Sequence, residues 1–224
     1  MKAMILAAGF GKRLLPITEK TPKPLLKIGE VTLIQRNIQH LIENGFSEII
    51  INVSHLGEHI KKHVDEVFPN ENILFSFEDI PLGTGGGILK ALHLLGDKSF
   101  LLMNADIYHN TNLVDLPRDV EAAHLVGVSN PEHNQNGDFN LVKNIVEVSS
   151  DSNELTWSGI SIMNPIIFRQ NNFQISHSLD LWKEVLPKYI CSRAITGQTS
   201  SELWLDVGTP ERLKLANTIY NDQN

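Results

Sequence analysis

The chain has 224 residues, 42% of them hydrophobic, and a formal net charge of −7. That length suits one large domain or two small ones with an ample core, and the acidic balance argues against general nucleic-acid binding. Cys191 is the single cysteine, which excludes an intramolecular disulfide and suits a reducing compartment, and no apolar run approaches the roughly 20 residues of a membrane span.

Residues 1–8 are apolar enough to resemble a short signal sequence. They run straight into Gly9-Phe10-Gly11-Lys12-Arg13 without a cleavage site, so residues 2–8 read as a buried strand. Residues 9–30 are rich in Gly, Pro, Lys and Thr and read as a long ordered loop, a form more often functional than idle. Residues 32–45 predict a helix, with Ile34, Ile38, Leu41 and Ile42 on one face and Gly45 where a C-terminal cap belongs. A strand over 48–53, a helix over 57–67 and a strand over 73–77 follow. The glycine run 83–87 opens a helix to Leu95, and a strand over 99–103 stops at Asn104-Ala105-Asp106. This alternation predicts an α/β fold with a mostly parallel central sheet and flanking helices. Sites in such sheets lie beyond the carboxyl ends of the strands, where Gly9 and Asp106 can meet.

After residue 110 the pattern loosens. Strands are expected at 126–128, 141–142, 145–148, 157–163 and 203–207, and a short helix at 179–188. Thr209 and Pro210 fit the N-cap and first position of a last helix. With no repeat or linker, the expectation is one domain, with a first half of about 1–110 and a second of about 111–224.

The strongest chemical signal is Leu6 through Thr18, followed by Pro22-Lys23-Pro24-Leu25. Small residues there let backbone amides approach an anion, Arg13 offers a planar fork, and Lys23 offers a mobile point charge. Two better-known glycine motifs fail: Leu14 stands where a dinucleotide fingerprint needs glycine, and Arg13 where a Walker loop needs Ser or Thr. Asp106 and Asp206 each follow an apolar strand; carboxylates suit Mg²⁺, but a turn and a solvated strand end are the plainer alternatives. The Gly83–Gly87 run is either a base-approaching loop at a helix N-terminus or a plain connection. Gly137-Asp138 and Ser158-Gly159 read equally as hairpin turns or as hydroxyl-binding positions. His55, His59 and His63 fall at helical spacing and are expected to form a solvated helix face. Trp157, Trp182 and Trp204 are expected in the core or a pocket wall, and Cys191 is expected to be structural.

On Gly9, Gly11, Arg13, Pro16, Thr18, Pro22, Lys23, Pro24 and Leu25, the chain resembles the sugar-phosphate nucleotidyltransferase family, and the likeness extends over essentially the whole sequence. The resemblance implies a three-layer, Rossmann-like nucleotidyltransferase fold of the glycosyltransferase-A type. It implies that Ala8, Gly9, Phe10, Gly11, Lys12, Arg13, Lys23, Thr84 and Gly85 bind the nucleotide, with Arg13, Lys23 and Asp106 catalytic. It also implies that Asn104, Asp138, Ser158 and Gly159 line the sugar pocket, and that Asp106 and Asp206 hold Mg²⁺. Ala105 departs from the glycine common in the family. Later segments, among them Thr156-Trp157-Ser158-Gly159-Ile160-Ser161 and Trp204 through Thr209, resemble the branch that uridylylates N-acetylmuramic acid α-1-phosphate in bacterial cell-wall recycling. The expected partners are UTP and a sugar 1-phosphate, with no nucleic acid and no membrane, in a cytoplasmic monomer or small homo-oligomer. Guanylyl, cytidylyl or thymidylyl transfer to another 1-phosphate or phosphocholine, and a non-catalytic nucleotide sensor, remain open alternatives.

Overall fold

The computed structural model describes residues 1–171, 173 and 178–223. The chain begins with β1 (Ala3–Leu6), a small hairpin of β2 (Lys27–Ile28) and β3 (Val31–Thr32), α1 (Leu33–Glu43), β4 (Glu48–Val53), α2 (Gly57–Val67), β5 (Asn72–Phe77), α3 (Gly83–Leu95) and β6 (Phe100–Asn104). It continues with β7 (Ile107–His109), β8 (Ala123–Ser129), β9 (Asn140–Val142), β10 (Ile145–Glu147), β11 (Leu155–Met163), α4 (Ile166–Arg169), α5 (Leu186–Cys191), β12 (Ile195–Thr199), β13 (Trp204–Asp206) and α6 (Pro210–Gln223).

Nine strands form one sheet in the order β5-β4-β1-β6-β11-β8-β12-β10-β9. The first four are parallel; β4, β1 and β6 are covered on both faces, which fits their continuous apolar runs, while β5 at the edge leaves Leu74 and Phe77 partly exposed. Ala3 and Ile5 of β1 face Ile34, Ile38 and Leu41 of α1 and Ile60 and Val64 of α2. Met4 points the other way, toward Ile88, Ala91 and Leu95 of α3. The same alternation divides Ile49 and Ile51 from Ile50, and Leu101 and Met103 from Phe100 and Leu102. The result is the expected three-layer arrangement of a sheet between helices. Each buried Ile, Leu, Val, Met or Phe among them contributes about 1.5–3 kcal/mol by leaving water.

Beyond β6 the sheet becomes mixed. β11 pairs antiparallel with β6 and β8, β12 is parallel to β8, and β10 and β9 close the far edge antiparallel. A separate ribbon of β7 and β13 rests with α6 under the glycine-rich loop, on a third cluster that includes Leu14, Leu26, Tyr108, Val207 and Ala216. No helix among the described residues is long and apolar enough to cross a membrane.

Several elements differ from expectation. Residues 9–30 contain three short 3₁₀ turns and the β2–β3 hairpin. β7 and β12 had no strand signal. The helix expected at 179–188 is a π-type turn at Leu181–Val185 followed by α5. Pro187 lacks the N–H for a regular bond back to residue 183, so the turn widens before α-helix resumes. His55 lies ahead of α2 and stacks on Phe10, His59 is exposed, and His63 bonds Thr32 Oγ1 at 3.0 Å. They therefore do not form one solvated face. Cys191 is exposed at the end of α5 and is not part of the core.

Candidate functional site

The carboxyl ends of β1 and β6 open onto a cavity of about 380 Å³. Its floor is tied by side chains. The Ala7 amide donates to Asn52 Oδ1 at 2.9 Å, and Asn52 Nδ2 donates to Glu78 Oε1 at 2.6 Å. Glu78 Oε2 accepts the Leu82 amide at 2.8 Å, fixing the entry to α3. A buried carboxylate is stable there because it accepts bonds through both oxygens. Thr18 Oγ1 donates to the Gly11 carbonyl at 2.9 Å and folds the loop onto itself. Ala8, Gly9, Gly11, Lys12 and Arg13 then line one wall, with Lys23 and Thr84 also on the cavity.

At the edge of this cavity lies the Asn104-Ala105-Asp106 corner. The Ala105 amide donates to the Leu6 carbonyl at 3.0 Å, and Asn37 Nδ2 of α1 donates to the Ala105 carbonyl at 3.3 Å. Lys23 Nζ forms an ion pair with Asp106 Oδ2. The β7–β13 ribbon brings in the second aspartate, because Asp206 pairs with Ile107 and the Val207 amide donates to the Asp106 carbonyl at 2.7 Å. Asp206 Oδ1 accepts from Arg212 Nη1 at 2.6 Å and faces His133 Nε2 at 3.0 Å. Burial raises the Asp206 carboxyl above the usual range; Arg212 and His133 pull it back, while the charge on Asp106 adds to the rise.

A second cavity, of about 390 Å³, adjoins the first and shares Arg13, Asn104 and Asp106 with it. Its far wall comes from the mixed half of the sheet. Asp138 Oδ2 accepts the Trp157 amide at 2.8 Å and Oδ1 accepts Asn134 Nδ2 at 3.1 Å. Trp204 Nε1 donates to the Ser158 carbonyl at 2.7 Å, which pins the ribbon to β11. The β11 register against β8 shifts between Trp157 and Ser161, and Gly159 sits in that bulge at φ +80°. A Cβ there would lie 2.6 Å from Asn104 Nδ2, so only glycine lets the bulge meet the Asn104 corner.

Most of the residues singled out in sequence thus converge on one cleft. Two fall elsewhere. Phe10 is exposed and stacked on His55, off the cavity wall. Gly85 is buried against Leu179, its amide bonded to the Leu179 carbonyl at 2.9 Å, so its missing side chain serves packing. Ser158 lies on the second cavity, its Oγ accepting the Ile160 amide at 3.1 Å and its carbonyl held by Trp204. Asn52, His133, Asn134 and Arg212 were not anticipated. Asn52 alone left a signal, as a polar residue inside the apolar strand Ile49-Ile50-Ile51-Asn52-Val53.

The donor set fits a hard divalent cation. Asp106 and Asp206 both offer oxygen ligands to the second cavity, near enough for the charge of one to act on the other. No group of three potential protein ligands exists among the described residues. Two carboxylates completed by phosphate oxygens and water are what Mg²⁺ commonly takes.

A glycine-rich loop at the strand ends of an α/β sheet, facing paired carboxylates across two joined cavities, defines a phosphate-group transferase. The nucleotidyl transferase family matches residues 2–223, and the chain belongs to that family as a sugar-phosphate nucleotidyltransferase. It is 38% identical, over 98% of both chains, to N-acetylmuramate alpha-1-phosphate uridylyltransferase from Neisseria meningitidis serogroup B. It is 30% identical to mannose-1-phosphate guanyltransferase from Schizosaccharomyces pombe, with 98% of this chain covering 64% of that protein. Among solved structures, HddC from Yersinia pseudotuberculosis complexed with GMP-PN superposes with a TM-score of 0.80 at 23% identity, covering 98% of this chain and 99% of that one.

Proposed function

We propose that this chain transfers the uridylyl group of UTP to N-acetylmuramic acid α-1-phosphate, in the cytoplasm, during reuse of cell-wall amino sugars. The observation that carries the two-substrate reading is the pair of cavities sharing Arg13, Asn104 and Asp106. The choice of substrates is supported by the full-length likeness to the Neisseria uridylyltransferase.

In this reading the triphosphate lies along the loop from Ala8 to Arg13. The loop amides and Arg13 hold its β and γ phosphates. Thr84 and the buried Glu78 lie at the base end, where a carboxylate suits a base that presents a ring N–H. The sugar phosphate sits against Asn104, Asp138 and the Gly159 bulge. One of its phosphate oxygens attacks the α-phosphorus, a new P–O bond forms, and the bond to the bridging oxygen of pyrophosphate breaks. A phosphate dianion is already nucleophilic, so no general base is required; catalysis is positioning and charge neutralisation. Lys23 supplies positive charge beside the α-phosphate. Asp106 and Asp206 would hold Mg²⁺, which when bound supplies neutralisation of the reacting phosphates.

The test is pyrophosphate release with four triphosphates against a panel of sugar 1-phosphates. UTP with N-acetylmuramic acid 1-phosphate is expected to turn over fastest, well ahead of N-acetylglucosamine 1-phosphate. A preference for GTP or CTP, or for an unrelated 1-phosphate, rejects the substrate assignment and leaves the reaction class standing. Nucleotide binding without turnover across the whole panel rejects the enzyme reading.

A further inference from the structure

Asp206 Oδ1 takes both Arg212 Nη1 at 2.6 Å and His133 Nε2 at 3.0 Å. Arg212 is largely enclosed, with 12% of its side chain exposed, yet its buried Nε has no hydrogen-bond partner. Its Nη2 lies across Gly208, where a Cβ would stand 2.3 Å away, and the same added atom would stand 2.9 Å from Arg13 Nη2. Asp206 Oδ2 is 3.1 Å from that point. Two guanidinium groups therefore converge on the space above one glycine, and both Gly208 and Arg13 line the nucleotide cavity. Like charges brought this close favour an anion between them.

We propose that Arg212 is an exchangeable counter-ion, paired with Asp206 until a divalent metal and a triphosphate bind together, and then passed to a triphosphate oxygen as the metal takes Asp206. This rests on the reading of Asp206 as a metal ligand. The Lys23–Asp106 pair follows the same logic on the other carboxylate. Each carboxylate that gains the dication releases a monocation, and each released monocation meets a phosphate. Metal and nucleotide must then tighten each other's binding by the same factor, since coupling is reciprocal. Removing Arg212 uncovers Asp206 for the metal but takes a donor from the nucleotide, so the two affinities move in opposite directions. A merely structural arginine would weaken both.

The experiment compares wild type, Arg212→Gln and Arg212→Lys. Mn²⁺ binding without nucleotide is followed by the free-ion electron paramagnetic resonance signal, and UTP binding at saturating Mn²⁺ by calorimetry. Arg212→Gln is expected to bind Mn²⁺ alone about threefold tighter and UTP with Mn²⁺ about tenfold weaker. Arg212→Lys keeps a point charge on Asp206, so Mn²⁺ binding alone stays as in wild type while UTP with Mn²⁺ weakens about threefold. Both affinities falling in Arg212→Gln, or neither changing, overturns the proposal. If thermal unfolding shows that Arg212→Gln does not fold, Arg212→Lys decides, and no change in its UTP binding is the contrary result. A wild-type protein that binds no UTP with Mn²⁺ overturns the functional reading together with this one.

Discussion

The parallel and mixed halves of the sheet meet where β6 pairs with β11, and they build their walls of the cleft by different means. In the parallel half, strand ends and a stiff glycine- and proline-rich loop present backbone groups. One buried chain, Ala7 to Asn52 to Glu78 to Leu82, holds that backbone in place. In the mixed half, the wall is made of side chains on a bulge and on connecting segments: Asp138, Asn134 and Trp157, with Trp204 from the ribbon. A backbone wall suits a ligand part that recurs across relatives, such as a triphosphate. A side-chain wall can be altered one residue at a time, which suits the part that distinguishes one relative from another.

This contrast can be broken at four places. The largest effect is expected where the halves share a residue. Asp106→Asn removes a carboxylate common to both cavities, and activity with Mg²⁺ should fall on the order of 10³-fold in steady-state assays. Full activity in that variant would remove Asp106 from the chemistry. Next, Asn52→Ala deletes a 2% exposed amide and leaves Glu78 short of a donor, at a cost of about 3 kcal/mol in chemical denaturation. Its KM for triphosphate should rise while the KM for sugar phosphate stays within about twofold. Equal rises in both would show that the two walls are not separate.

The third place is acid stability of the ribbon. His109 of β7 is held down to about 3, chiefly by burial, with His40 and Arg36 adding to the effect. The unfolded chain binds the proton near 6.5, so the neutral ring stabilises the fold fully above that pH, and this stability is lost as pH falls from 6.5 toward 3. Between pH 6.5 and 5 the loss is about 2 kcal/mol. Thermal unfolding should show it in wild type and much less in His109→Asn; identical pH slopes would contradict it. The smallest effect falls on the side-chain wall. Asp138→Ala frees the Trp157 amide and Asn134, and should raise the sugar-phosphate KM about tenfold with triphosphate KM unchanged. A change in triphosphate KM alone would move Asp138 to the other substrate.

The same contrast explains what could be read from the sequence. The loop from Gly9 to Leu25 was legible because unusual backbone paths need glycine and proline at fixed places. β4, α2 and α3 have the expected bounds or nearly so, because their apolar periodicity is strong. β12 was missed because Ile195-Thr196-Gly197-Gln198-Thr199 is mostly polar and is held by its neighbours, His124 bonding both Thr196 and Gln198. Arg212 and His133 were missed for a related reason. They meet Asp206 through tertiary packing, from the first turn of α6 and from a connecting segment, and neither leaves a local pattern. Gly85 misled because a glycine needed for packing against Leu179 looks, in sequence, like one needed for a ligand.

The central claim is that one reaction step needs both walls filled at once, with Asp106 between them. Exchange of radiolabelled pyrophosphate into UTP tests it most directly. Direct displacement predicts exchange in the presence of N-acetylmuramic acid 1-phosphate and none above background when sugar phosphate is omitted. Rapid exchange without any sugar phosphate would mean a covalent nucleotidyl-enzyme, and would contradict the account.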